Sequence, residues 1–481
     1  MTLHLHTAAR TDALADGLAE LLVTPLPDPF AREVVVVPAR GVERWLTQRL
    51  SHRLGVGPRG GDGVCAGVDF VTPHSLVSML LDRDAEDPWS PDRLAWPLLE
   101  VIDDCLDEPG FEDLSRHLGH GDPTDERSAR RYAVARRLAG LFGSYAVQRP
   151  RLVRDWRDGA DSDGAGGPLA PDLRWQAHLW RRLVDRVGTP APDERHAATV
   201  ERLRSGATGL DLPGRLSLFG HTRLPASEVE LLRALGDHRD VHLWLPQPSP
   251  ALWEALAPTA AAGPVPRADD ESATVVAHPL LASLGRDSRE LRRTLGELEA
   301  HQVAADSADP ATLLGWLQAD LRANRAPDAA TLASRRRDAH DLSVQVHACH
   351  GTARQVDVLR EVLVGLLQDD PSLEPRDILV MCPDIETYAP LISAGFGLAD
   401  VAQEDVGHPA HRLRVRLADR SPGATNPLLG VAADLVELAA GRMSATAVLD
   451  LAATEPVRAR FGFTDDHVER MARWVQQAAI R

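Results

Sequence analysis

The sequence contains no lysine: all 53 of its basic residues are arginine. Wholesale replacement of one cation by the other, beside abundant Ala, Gly and Pro, marks compositional bias rather than a mechanism. It still has a chemical consequence. A Walker-type ATPase places a lysine on its nucleotide phosphates, and the usual PD-(D/E)xK nuclease centre needs one as well. Neither can exist here in its ordinary form. Cysteine is scarce too. Cys65, Cys105, Cys349 and Cys382 lie far apart with no CxxC pair, which excludes a disulfide framework and fits a reduced, cytoplasmic setting. No signal-peptide pattern and no apolar run of membrane-spanning length is present, so a soluble protein with no membrane partner is expected. Positive charge is in deficit: 53 Arg stand against 70 Asp and Glu, for a net charge of −17. That argues against non-specific coating of nucleic acid. A local basic channel remains compatible, because screening acts over about 8 Å at physiological salt.

What is there begins with a nucleotide-binding pattern. Leu3 to His6 reads as a strand. A helix follows from Thr11 or Asp12 with Leu14, Leu18, Leu21 and Leu22 on one face. Val34 to Val37 is a buried strand, and a helix after Gly41 turns Val42, Trp45, Leu46, Leu50 and Leu54 inward until Gly55 stops it. This is how a parallel α/β domain opens. In an NTPase the first loop would read GxxxxGK(S/T), with backbone N–H groups cradling phosphates; here it is His6-Thr7-Ala8-Ala9-Arg10-Thr11. The strand expected to end in magnesium-binding carboxylates, Arg215 to Phe219, runs instead into Gly220-His221-Thr222. Both hallmarks fail together. The chain is expected to use no cofactor and neither to bind nor to hydrolyse ATP; micromolar Mg-ATP binding in isothermal titration would contradict this.

A glycine-rich stretch from Gly55 to Gly67 lacks GK(S/T) and reads as a mobile loop. Val68 to Val71 is a third strand, and Thr72 caps the helix after it. Residues 85–205 read as a largely helical insertion, with an arginine-rich helix from Arg127 to about Val147. The α/β pattern returns with strands at Arg215–Phe219 and Val241–Leu245, and residues 258–277 read as a surface loop. A second α/β unit is predicted from Ser343, with strands to Ala348 and at Asp377 to Met381; after Pro422 the chain is helical. The expected domains are therefore 1–84 with 206–340, the insertion 85–205, a second α/β domain 341–423, and the start of a helical domain at 424–481.

His347-Ala348-Cys349-His350 has metal-ligand residue types, but His350 points away from the other two on a strand and no second cluster completes a zinc site; no metal is expected. Arginines in 127–137 and 149–158 could contact phosphates or simply form a solvated face. Arg40 and Arg44 follow a strand's carboxyl end, where open α/β sheets bind ligands.

A resemblance joins these readings. The run His347-Ala348-Cys349-His350, Arg354 to Leu359, Asp369-Asp370-Pro371, Pro375-Arg376-Asp377-Ile378, Asp384, Tyr388 and Phe396-Gly397 is similar to the RecC family, the gamma subunits of exodeoxyribonuclease V (the RecBCD helicase–nuclease). Trp45-Leu46, Tyr145 with Arg149-Pro150 and Trp156, Trp175-Gln176 with Leu179-Trp180, Phe219-Gly220 with Leu224-Pro225, and Pro279 to Ser283 with Gly285-Arg286 match in the same order. The resemblance implies an α/β, inactive superfamily 1 helicase-like fold, with two parallel-sheet units and helical insertions. It implies a non-catalytic subunit that clamps RecB-like and RecD-like partners, contacts single- and double-stranded DNA, and scans the exiting 3′ strand during double-strand break repair. At the scanning-channel positions this sequence carries Pro38, Arg40, Arg44, Thr72, Ser78, Gly140 and Gly143, with Arg149 the one retained residue. Arg40, Arg44, Thr72 and Arg149 are thus the expected DNA-binding residues, with altered or no sequence preference. The family's C-terminal nuclease-like domain is missing, so an N-terminal part is expected. The competing reading is a divergent, self-sufficient helicase or nuclease of the superfamily 1 type.

Overall fold

The structure is a computed structural model. It describes residues 2–479 except 55, 58–59, 62, 84–85, 122–129, 207–208, 264, 304–309, 398–407, 419 and 442. The expected helix stop at Gly55, the start of the arginine-rich helix at Arg127 and the expected domain boundary at 84–85 lie outside the described residues. The chain divides into two compact units, Met1–Val344 and Gln345–Arg481.

The first unit is built on a six-stranded sheet. In chain order its first elements are β1 (Leu3–Ala8), α1 (Thr11–Val23), β2 (Glu33–Val36), α2 (Arg40–Ser51), the two-residue strands β3 (Val56–Gly57) and β4 (Gly60–Gly61), β5 (Val68–Val71) and α3 (Pro73–Leu80). After the helical segment come β6 (Arg215–Phe219), β7 (Asp240–Pro246) and β8 (Ala300–Gln302). The order across the sheet is β5-β2-β6-β7-β1-β8, every pair parallel. β3 and β4 form a separate antiparallel ribbon inside the glycine-rich stretch. A parallel sheet covered on both faces must be apolar on both, and the strands comply. Val35, Val37, Phe219 and Trp244 pack with Leu14, Leu18, Leu46 and Leu50 of α1 and α2. Val36, Leu216, Leu218, Leu243 and Leu245 pack on the other face with Leu76 and Leu80 of α3. Neighbouring residues of one strand therefore sit in different cores, as the period-2 pleat requires.

Between β5 and β6 the chain forms α4 (Pro91–Cys105), α5 (Glu112–His117), α6 (Arg131–Gln148), α7 (Pro150–Arg157), α8 (Arg174–Val187) and α9 (Pro192–Arg204). The first five share a core of their own around Phe142, Trp156 and Trp180, whereas Val200 and Leu203 of α9 belong to the sheet's core. After β6 comes α10 (Ala226–Gly236). The expected surface loop 258–277 contains a helical turn at Ala257–Ala261 and two 3₁₀ turns.

Among the described residues the second parallel-sheet unit is not formed, which corrects the sequence expectation. Among the described residues, 343–348 and 377–381 contain no strand. Val346, Leu379 and Met381 stand exposed. A lone pair of short parallel runs leaves both faces bare, and such a pair is marginal without further strands; the described remainder of this unit supplies helices and loops. The helices Gly351–Asp369 and Ile385–Gly395 do pack together, around Val356, Ile392, Phe396 and Ala410. Helices Pro427–Ala440, Ala445–Ala453, Glu455–Phe461 and Asp465–Gln477 follow, with no buried residue in any of them. Among the described residues no helix is long and apolar enough to cross a membrane.

Candidate nucleic-acid interface

β2 and β5 end side by side. Their carboxyl ends lead directly into α2 and α3, so two helix N-termini open on one cavity of about 450 Å³. Its lining includes Val37, Arg40, Glu43, Arg44, Phe70 and Thr72. Each partly positive N-terminus favours an anion there. Thr72 is held in place by its capping role: its Oγ1 accepts from the Ser75 N–H at 3.1 Å. The Val37 N–H donates to the Val71 carbonyl at 2.9 Å and ties the two strand ends together. Arg40 and Arg44 are exposed, and neither forms an ion pair among the described residues. Glu43 is the carboxylate in the first turn of α2.

Arg149 does not line this cavity. It sits at the corner between α6 and α7, exposed, its N–H donating to the Tyr145 carbonyl at 2.7 Å. Burial pushes the Tyr145 phenol up, and the nearby Arg149 charge pulls the other way. The corner is fastened to the sheet. Ser227 Oγ, in the first turn of α10, donates to the Val147 carbonyl at 2.9 Å. α10 follows the carboxyl end of β6, which neighbours β2. Arg149 thus belongs to the same edge of the sheet as the cavity, though not to its lining.

The nucleotide positions hold other things. In the first loop the Thr7 carbonyl accepts from Val303 N–H and the Ala8 carbonyl from Gln247 N–H, each at 2.8 Å. Arg10 Nε donates to Asp12 Oδ1 at 2.9 Å. His6 stacks on Trp244 at 3.9 Å, and its Nε2 lies 3.0 Å from His242 Nδ1. Burial, then the neighbouring histidines His301 and His4, lower the His6 pKa to about 4. At the end of β6, after the left-handed Gly220 (φ 77°), His221 is 4% exposed and both its ring nitrogens lack a partner among the described residues. Burial lowers its pKa to about 4. The ring is neutral at pH 7 and offers no counterpart to a magnesium carboxylate. At His347 and Cys349 the contacts are local, to Gln345 and to the chain's own carbonyl. Among the described residues no group of three or more His, Cys, Asp or Glu is placed to hold a metal. One exposed aromatic pair, Trp96 with Tyr132 on α4 and α6, escapes the sequence reading; neither residue has a partner spacing that announces it.

Comparison with known proteins places this geometry. The family model described as "RecC, N-terminal domain" matches residues 3–324, and the one described as "RecBCD enzyme subunit RecC fourth domain" matches residues 425–481. The chain is 57% identical over 491 residues to the RecBCD enzyme subunit RecC of Mycolicibacterium smegmatis, covering 100% of this chain and 43% of that protein. It is 57% identical over 487 residues to the subunit of the same name from Mycobacterium tuberculosis, with the same coverage. The Escherichia coli subunit is 29% identical over 530 residues, covering 100% of this chain and 45% of that protein. The chain thus spans less than half the length of these relatives. With its N-terminal two-thirds and its last helices each matched in order, the chain belongs to the RecC family.

Proposed function

We propose that this chain is a non-catalytic part of a RecBCD-type helicase–nuclease, scaffolding RecB-like and RecD-like subunits in the cytoplasm and guiding single-stranded DNA during double-strand break repair. Duplex DNA is the expected entering substrate. The observation that carries the reading is the rim of Arg40 and Arg44, without ion-pair partners among the described residues, at the sheet's carboxyl edge above two helix N-termini. A planar guanidinium donates to phosphate oxygens and stacks on bases. Arg149, on the same edge, extends the path, and Thr72 offers a hydroxyl beside it. The scaffold is proposed as an inactive superfamily 1 helicase-like fold. Its first α/β domain takes 1–84 and 206–340 and its helical insertion 85–205. A second domain takes 341–423 and a helical domain begins at 424. Separate cores around Phe142 and around Leu218 support a division there, with α9 at the insertion's end packing into the sheet's core, and the boundary of the two compact units near Val344 supports the other.

The test is the salt dependence of single-strand binding. Each phosphate contact contributes about −0.7 to the slope of log affinity against log salt. Replacing Arg40, Arg44 and Arg149 by alanine, in complex with RecB and RecD, should flatten that slope by up to roughly 2, while ATP turnover by the partners survives. An unchanged slope, with crosslinks from the 3′ strand mapping elsewhere, would return these arginines to a solvated face.

A further inference from the structure

α4 and α6 run antiparallel and meet along their outer rims in successive rungs. Arg131 pairs with Asp103 at 2.9 Å, Tyr132 lies against Trp96, and Arg136 reaches toward Asp92 at 3.9 Å. The middle rung is unusual. Trp96 is 59% and Tyr132 42% exposed, with ring centroids 5.2 Å apart at 40°. The core of this helical body is already filled by Trp89, Phe142, Trp156 and Trp180, so these two rings contribute little to it. Arginines flank Tyr132 along the chain: Arg130, Arg136 and Arg137 are all exposed, and among the described residues Arg130 and Arg137 form no ion pair. Carboxylates balance them on α4, where Asp92 and Glu100 stand one turn either side of Trp96.

We propose that Trp96 and Tyr132 form a stacking platform for the bases of single-stranded DNA, with Arg136 and Arg137 taking the flanking phosphates. Every base has a π-face, so stacking on aromatics serves a strand of any sequence, and it needs bases free of a duplex partner. The helix continues the track. Tyr132, Arg136, Gly140 and Gly143 fall on one face of α6 at helical spacing, and a Cβ at Gly140 would meet nothing within 4 Å. The stripe leads toward Arg149, which closes α6 about 25 Å beyond Tyr132 at 1.5 Å per residue. The inference rests on the strand-guiding reading above and gives that strand a second holding point.

The experiment is fluorescence anisotropy of a labelled oligothymidylate with the purified protein at several salt concentrations, with photocrosslinking from thiothymidine. Trp96→Ala with Tyr132→Ala should weaken binding about tenfold or more and leave the salt slope unaltered. Trp96→Phe with Tyr132→Phe should keep most of the affinity, and wild-type crosslinks should fall on Trp96 or Tyr132. The alanine variant of Arg40, Arg44 and Arg149 should behave oppositely, with a flattened slope. Wild-type affinity in the aromatic alanine variant, or equal loss in the phenylalanine variant, overturns the platform and leaves the arginine reading standing. A wild-type protein that does not bind the oligothymidylate overturns both.

Discussion

Trp180→Ala should loosen the helical body by about 3–5 kcal/mol, the usual range for removing a large buried aromatic. Trp180 is fully buried within that body's core. Its ring lies 5.4 Å from Trp89, which precedes α4, and 5.3 Å from Phe142 of α6. Its Nε1 donates to the Val153 carbonyl of α7 at 3.0 Å. The substitution leaves a cavity that three helices would have to collapse into, and it removes a buried hydrogen bond. Because this core is separate from the sheet's, the loss should be local. Amide hydrogen exchange should accelerate by a hundredfold or more in α4, α6 and α8, with the sheet strands much less affected. Trp180→Phe should be intermediate, since it keeps one aromatic ring but loses the donor and leaves a smaller void. Less than tenfold acceleration in those helices would show that the body does not depend on this residue.

Acid should destabilise the first unit well before its carboxylates titrate. His221 has a folded pKa of about 4 against an ordinary value of 6.5, because burial disfavours the charged ring. A lowered histidine pKa means that the unfolded chain binds the proton first. The associated stability is complete above pH 6.5 and is lost as pH falls toward 4. For His221, most of whose ring is out of water, the loss between pH 7 and pH 5 is roughly 2 kcal/mol. His6 and His242, lowered to about 4 chiefly by burial, add in the same direction. Urea midpoints measured at pH 7 and pH 5 should fall accordingly. His221→Leu should remove its share of the pH dependence, and should also relieve two buried ring nitrogens that find no partner among the described residues. A variant with the wild-type pH profile would place the sensitivity elsewhere.

The sheet is legible in the sequence where apolar runs are dense. Val34 to Val37 and Leu216 to Phe219 announce themselves, and Thr72-Pro73 marks a helix start through its capping chemistry. β8 does not, because Ala300-His301-Gln302 carries one apolar residue and is specified by pairing with β1 alone. The runs 343–348 and 377–381 fail in the opposite way. They have strand composition, but composition does not supply the neighbouring strand that a ladder needs. For the candidate site, Arg40 and Arg44 could be placed because they follow a strand directly. Bringing Thr72 to the same cavity needs β5 beside β2, which only the sheet order provides. The His6–His242–Trp244 stack joins residues more than two hundred positions apart, and the Trp96–Tyr132 pair depends on how α4 crosses α6; neither has a local signature.

The division of β2 between two cores also governs the arginines beyond it. Val35 and Val37 are buried on one face of the sheet and Val36 on the other. Sliding this strand by a single residue would exchange those faces, and every valine would meet the wrong set of helices. The same slide would rotate the start of α2 and carry Arg40 and Arg44 out of line with Thr72. The position of each cation is therefore metered by greasy side chains several residues upstream. Deletions and insertions in residues 24–32, before the strand, should leave the cationic rim in place, whereas one residue added between Val37 and Arg40 can shift its alignment only by turning α2, which also draws Leu46 and Leu50 out of their core.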